Sequence, residues 1–191
     1  MSGWRLRTVV ADTSALVSIA VPRADAAVGT DVPDPFQYLL TSCDVVVPPE
    51  VVTELRDITQ YQDIHAAAAS NVLAARDHYT VENPYKRDDT PDARPTFGLD
   101  DGETDGIVLA NARGVDGILT DEFGGTNFPL IHAVLQGPRI VPTPRLIVDY
   151  ARNGYLSHEA ARTLITTIGS HRSWENSPSV MQLLRRLDES R

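Results

Sequence analysis

Five acidic side chains in this chain stand where they could do chemistry together. Asp12 ends a β-branched run, Glu54 lies on a helix that follows another such run, and Asp121 ends a third, while Glu103 and Asp105 sit two residues apart on the helix leading into that third run. In open parallel sheets ligands bind beyond the carboxyl ends of the strands, where strand order reverses. Carboxylates from distant parts of the chain would therefore meet at one sheet edge. Four gathered there repel and would not all stay ionised without a cation. All-oxygen ligands favour Mg²⁺ or Mn²⁺ over zinc, which prefers His or Cys. Such ions suit phosphodiester hydrolysis, lowering the pKa of an attacking water and stabilising the leaving oxygen. The spacing alone does not choose between a nuclease and a phosphatase.

Each residue also has a plainer reading. Asp12 or Ser14 can cap the helix that follows the first strand, and Asp121 can be a turn residue. Asp100-x-x-Glu103 fits a capping box in which Glu103 reaches back to its own helix start. Residues two apart share no helix face, so Asp105 is expected as the better ligand of that pair. Glu54 lies three after Val51 and four before Ile58, on or beside the apolar stripe of its helix, where an ionised carboxylate needs a compensating partner.

The elements that must place these groups alternate along the chain. Strands are expected over Arg7 to Ala11, Cys43 to Val47, Tyr79 to Glu82, Gly117 to Thr120 and Arg139 to Val141. Helices are expected over Glu50 to Ile58, Asp63 to Asp77 and Asp100 to Arg113, the last stopped by Gly114. Asn83 to Thr96, with three prolines and three aspartates, reads as a loop that could serve as a lid. Thr143-Pro144, Ser157 and Ser177-Pro178 each open an amphipathic helix. Alternation of this kind implies an α/β fold with a parallel sheet covered on both faces and the last helices as an addition.

Composition excludes several function classes. The 191 residues suit one domain, and the single cysteine, Cys43, rules out disulfide frameworks and cysteine-based zinc ribbons. Lys86, the only lysine, lies between Tyr85 and Arg87, so there is no phosphate-binding P-loop. No run approaches the roughly 20 apolar residues of a membrane span, and the expectation is a soluble, cytoplasmic protein with no membrane partner. Seventeen basic residues against 26 acidic ones give a net charge of -9. No global basic field gathers nucleic acid, and the balance suits a halophilic setting in which salt screens repulsion. Arg23, Arg139, Arg145 and Arg152 are the candidate local cations. An aspartyl-nucleophile phosphatase is disfavoured, because Asp12-Thr13-Ser14 lacks the second aspartate two positions on.

Taken in order, Val-Val-Ala-Asp12-Thr-Ser14-Ala-Leu, Val-Val-Pro-Pro-Glu-Val-Val-Thr-Glu54-Leu-Arg, Leu-Asp-Asp-Gly-Glu103-Thr-Asp105-Gly-Ile-Val-Leu-Ala and Ile-Leu-Thr120-Asp121-Glu resemble the motifs of the PIN-domain ribonucleases. The resemblance covers about Thr8 to Val141. It implies a three-layer α/β/α sandwich and cleavage of single-stranded RNA with Mg²⁺ or Mn²⁺, the RNA partner being single-stranded or structured. Homodimers are frequent in that family, and many members are toxins held by an antitoxin protein. Carried over by position, Asp12, Glu54, Asp105 and Asp121 resemble the metal-binding quartet, with Glu103 as a fifth candidate and with Ser14 and Thr120 as hydroxyls that orient water or carboxylates. Gly106 stands where the family often has alanine. The chain exceeds the compact toxin members by its C-terminal helices, so residues 1–153 are expected as the nuclease domain and 154–191 as a helical extension packed on it. The alternative reading is a non-catalytic PIN-like module that binds RNA or a protein.

Overall fold

The computed structural model describes residues 6–122 and 127–189. The β-branched runs form the first two strands, β1 (Thr8–Ala11) and β2 (Asp44–Val47), followed by β3 (Thr80–Val81), β4 (Gly117–Leu119) and β5 (Arg139–Val141). All pair in parallel in the order β3-β2-β1-β4-β5, with Val9 opposite both Val45 and Gly117. The chain builds outward from β1 to β3, then returns across β1 to lay β4 on its other side. The reversal between β1 and β4 opens a crevice at their carboxyl ends.

Period-two alternation separates the two faces. Val9, Ala11, Val45, Val47, Leu119 and Val141 face one core. That core is completed by α1 (Thr13–Ala24), α2 (Pro35–Ser42), α3 (Pro49–Ile58), α4 (Ile64–Ala74), α7 (Thr143–Arg152), α8 (His158–Arg172) and α9 (Pro178–Asp188). Val10, Val46, Ile118 and Ile140 face the other, under α5 (Asp101–Arg113) and α6 (Asn127–Val134). The result is the expected three-layer α/β/α sandwich with an all-parallel sheet. Ala161, Leu164, Ile165 and Ile168 of α8 belong to the same continuous core as Val9 and Leu16, so the C-terminal helices are part of the first helical layer's packing. Among the described residues no helix is long and apolar enough to cross a membrane.

Local chemistry explains most element boundaries. Asp100 and Glu103 form the expected capping box at the start of α5, and Gly114 ends that helix at φ 58°, a left-handed conformation that favours glycine. Gly106 faces the sheet with ordinary spacing: an added Cβ would lie 3.7 Å from Ile118 Cδ1 and 3.8 Å from Val10 Cγ1, so the alanine common in the resembled family would fit. Two helices were not expected from the sequence. Helix α2 is short and starts from an aspartate cap, where the Asp34 carboxylate accepts from the amides of Phe36 and Gln37. Helix α6 carries only one buried residue, Ile131, and so little periodicity; its His132 is exposed. Trp174 and Tyr150 are buried. The segment after β3 is tethered: Arg87 bridges Glu82 and Asp89, and Thr90 Oγ1 donates to the Arg87 carbonyl at 3.0 Å.

Candidate active site

Asp12 stands at the carboxyl end of the central strand, directly beside the reversal. Its amide donates to the Leu119 carbonyl at 2.9 Å, which keeps β1 and β4 paired to the end of the sheet. Its Oδ1 accepts from the Thr13 amide at 2.7 Å, so the capping role is real. Its Oδ2 accepts from Ser14 Oγ at 2.6 Å and Thr120 Oγ1 at 3.3 Å, fixing the carboxylate from two sides. Ser14 Oγ in turn accepts from the Asp121 amide at 3.0 Å, and Thr120 Oγ1 from the Glu122 amide at 3.2 Å. The two hydroxyls therefore tie the start of α1 to the loop after β4. Burial nevertheless holds the Asp12 carboxyl above its ordinary value, and the neighbouring charge of Asp100 adds to that.

Glu54 enters from α3, one side of its helix being taken up by Val51 and Leu55. Thr13 Oγ1 donates to Glu54 Oε2, and Oε1 lies over the start of α5, where a Cβ on Gly102 would come within 2.7 Å of it. Only a glycine admits this approach. Burial raises the Glu54 carboxyl, as do the charges of Asp12, Asp100 and Glu50.

Glu103 is both cap and site residue. Asn127 Nδ2 donates to both its oxygens, at 3.3 and 3.1 Å, and the Glu103 amide donates to Asp100 Oδ1 at 2.7 Å. Burial, then the charges of Asp100 and Asp12, push its carboxyl up to about 7. Asp12, Glu54, Asp100 and Glu103 line one open cleft of about 450 Å³, with Ser14 and Glu122 beside them.

Asp105 is placed elsewhere. It is 4% exposed, and Arg94 grips it with two parallel bonds, Nε to Oδ1 at 2.7 Å and NH2 to Oδ2 at 2.8 Å, while Tyr85 OH donates to Oδ1 at 2.5 Å. The helical phase that turns Glu103 toward the cleft turns Asp105 away from it. What the sequence presents as a ligand is here the anchor of the 84–94 segment, with Asp101 pairing the same arginine. We expect Arg94→Ala to cost about 1–3 kcal/mol, since a buried carboxylate loses its charged partner. Limited proteolysis should then cut the 87–96 segment faster, with Mn²⁺ affinity unchanged. Tighter Mn²⁺ binding in that variant would instead return Asp105 to the ligand set.

Asp121 is likewise held by protein groups. Thr143 donates to it twice, from the amide at 2.8 Å and from Oγ1 at 3.0 Å, which ties the loop after β4 to the first turn of α7. Burial pushes its carboxyl up to about 6, against opposing bonds from Ser18 and Thr143 and the charge of Arg172. Because this folded value exceeds the ordinary 3.8, the fold favours the protonated form. The destabilisation is absent below about pH 4 and grows as pH rises through about 6. Asp121→Asn, which keeps an acceptor for Thr143, should therefore raise Tm above pH 7 by the equivalent of about 2 kcal/mol. The two proteins should converge below about pH 4; a more stable wild type at neutral pH would refute this.

Among the described residues no three Asp, Glu, His or Cys side chains are already gathered around one ion-sized point. Glu54 and Glu103 are the long side chains of the cleft, and the charge of Asp12 acts on both. Gly124 and Gly125, which the sequence suggests for close backbone approach to a ligand, lie outside the described residues. Of the four arginines singled out in the sequence, Arg145 and Arg152 pair with Asp149, and Arg23 lies 3.9 Å from Asp34. The arginine that lines the cleft is Arg172, at the end of α8. Its place, like that of Tyr61, is set by tertiary packing that no local spacing reveals. Comparison of the chain with protein-family models, with curated proteins and with solved structures gives no match.

Proposed function

We propose that this protein is a divalent-metal-dependent endoribonuclease of the PIN type, cutting single-stranded RNA at the cleft beyond β1 and β4. One observation carries the reading: Asp12, Glu54 and Glu103, all with carboxyls raised by burial and by neighbouring negative charge, line one cleft at the strand-order reversal. An all-oxygen donor set under mutual repulsion fits a hard dication, and Asp12, Glu54 and Glu103 would hold it with Asp100 at the rim. Bound there, Mg²⁺ or Mn²⁺ would supply a water of lowered pKa and offset charge on the phosphate.

The chain's own residues do the positioning. Ser14 and Thr120 fix the Asp12 carboxylate, Thr13 fixes Glu54, and Asn127 fixes Glu103. Each hydroxyl or amide donor removes rotamer freedom that would otherwise be lost on binding. Glu103, whose carboxyl is raised by burial and by neighbouring charge, would ionise if a dication offset that charge, and metal uptake near neutral pH would then be accompanied by proton release.

The test is incubation of a fluorescently labelled single-stranded RNA of mixed sequence with the purified protein. Cleavage in Mn²⁺ or Mg²⁺ that stops on chelation is expected, and cleavage that persists in excess chelator would overturn the reading. A non-catalytic binding module is favoured by one observation, that Asp105 and Asp121 are already partnered by Arg94 and Thr143. Metal-dependent binding of the RNA without any cutting is the outcome that would select it.

A further inference from the structure

The cleft is lined by more than carboxylates. Arg172 from the last turn of α8, His65 from the first turn of α4 and Tyr61 from the turn between α3 and α4 also line it, with Asp63 between the last two. Arg94, Arg145 and Arg162 are spent on Asp105, Asp149 and Asp188. Arg172 instead lines the cleft, and its charge is felt by Asp121. His65 lies beside Asp63, its Nδ1 3.7 Å from the Asp63 carboxylate, and its Nε2 is buried away from solvent. Tyr61 is 67% exposed, a large ring presented to solvent at a polar cleft rather than packed.

Resting on the ribonuclease reading above, we propose that Arg172 and Tyr61 form a nucleotide subsite. Arg172 holds the phosphate next to the scissile one, and Tyr61 stacks the attached base. A guanidinium matches two phosphate oxygens with its planar fork. Stacking on tyrosine is tolerant of base identity but needs an unpaired base, so it selects single strands over duplexes. This subsite supplies the attraction that a chain of net charge -9 lacks globally, and it gives α8 a role in substrate binding beside its role in the core. It also separates the substrate from simple phosphomonoesters, which would reach the carboxylates but leave Tyr61 without a base to stack.

The test uses full-length protein in an Asp12→Asn background, where a labelled single-stranded RNA of about ten nucleotides survives, and reads binding by fluorescence anisotropy. Adding Arg172→Gln should weaken binding by about 10-fold or more, with Arg172→Lys partly restoring it. Adding Tyr61→Ala should weaken single-strand binding by roughly 5- to 100-fold while leaving a duplex of the same sequence unaffected. Tyr61 is exposed, so that variant keeps the fold, which an unchanged melting curve would verify. Unchanged single-strand affinity in both Arg172→Gln and Tyr61→Ala overturns the subsite. Failure of the ribonuclease reading looks different: the Asp12→Asn parent would still cut RNA, or the wild type would take up no Mn²⁺ in calorimetry.

Discussion

Asp12→Asn is expected to lower metal-dependent RNA cleavage by roughly 10³ while making the metal-free protein more stable. The loss follows from the position of the group, which is the best fixed of the cleft carboxylates: Thr13, Ser14 and Thr120 all donate to it. Asparagine keeps an acceptor for the Thr13 amide and remains a good helix cap, so the strand-to-helix turn survives. It removes the charge that a dication would meet. The gain in stability follows from the raised Asp12 carboxyl, whose main cause is burial. A folded value above the ordinary 3.8 means that the ionised form is penalised in the fold. That penalty is absent in acid, below the unfolded value, and appears as pH rises through the folded one. Melting curves in chelator should therefore favour Asp12→Asn at pH 7.5 and coincide with wild type near pH 3. Added Mn²⁺ should raise Tm of the wild type only. A variant with lower Tm at both pH values would mean that Asp12 is a structural cap and little else.

Gly102→Ala is the second large effect, and it separates activity from stability within one methyl group. The added Cβ would stand 2.7 Å from Glu54 Oε1 and 3.4 Å from its Cδ. What must yield is the end of a flexible side chain, so the backbone stays and Glu54 swings away from Thr13. Alanine in place of glycine in a helix contributes about 0.5–1 kcal/mol, which offsets the lost contact. The expected result is RNA cleavage reduced by about 10²-fold at equal or higher Tm. Gly106→Ala, one turn on, is the matched control. Its Cβ makes only ordinary contacts with Ile118 and Val10, and its activity should stay within about threefold of wild type. Equal activity in Gly102→Ala and Gly106→Ala would show that Glu54 takes no part in the chemistry.

The sheet and the floor of the cleft were legible because they rest on local signals. Short β-branched runs ending in Asp12 and in Thr120-Asp121 could hardly be anything but strand ends, and parallel strands bring such ends to one edge. Glu54 was legible because a carboxylate beside the Val51 and Leu55 stripe has to face something inside. The capping box at Asp100 and Glu103 is legible from its spacing, and because the first turn of α5 opens onto the cleft, the cap and the fifth ligand candidate are the same side chain. Preferring Asp105 over Glu103 needed the helical phase relative to the sheet, and that phase is set by Gly102 and Gly106 lying close against Glu54, Val10 and Ile118. Arg94 and Arg172 could not be found by spacing. One reaches Asp105 from a segment without periodicity, and the other reaches the cleft from a helix whose apolar stripe, Leu164 and Ile168, only reports that it packs.

Diffraction from crystals soaked in Mn²⁺, with anomalous differences recorded at the manganese edge, tests the central claim most directly. The account predicts a peak in the cleft about 2.2 Å from an Asp12 oxygen and within coordination distance of Glu54 or Glu103, with the Arg94–Asp105 and Thr143–Asp121 pairs intact. A cleft without a peak at saturating Mn²⁺, or a peak bound by Asp105 after Arg94 has let go, would contradict it.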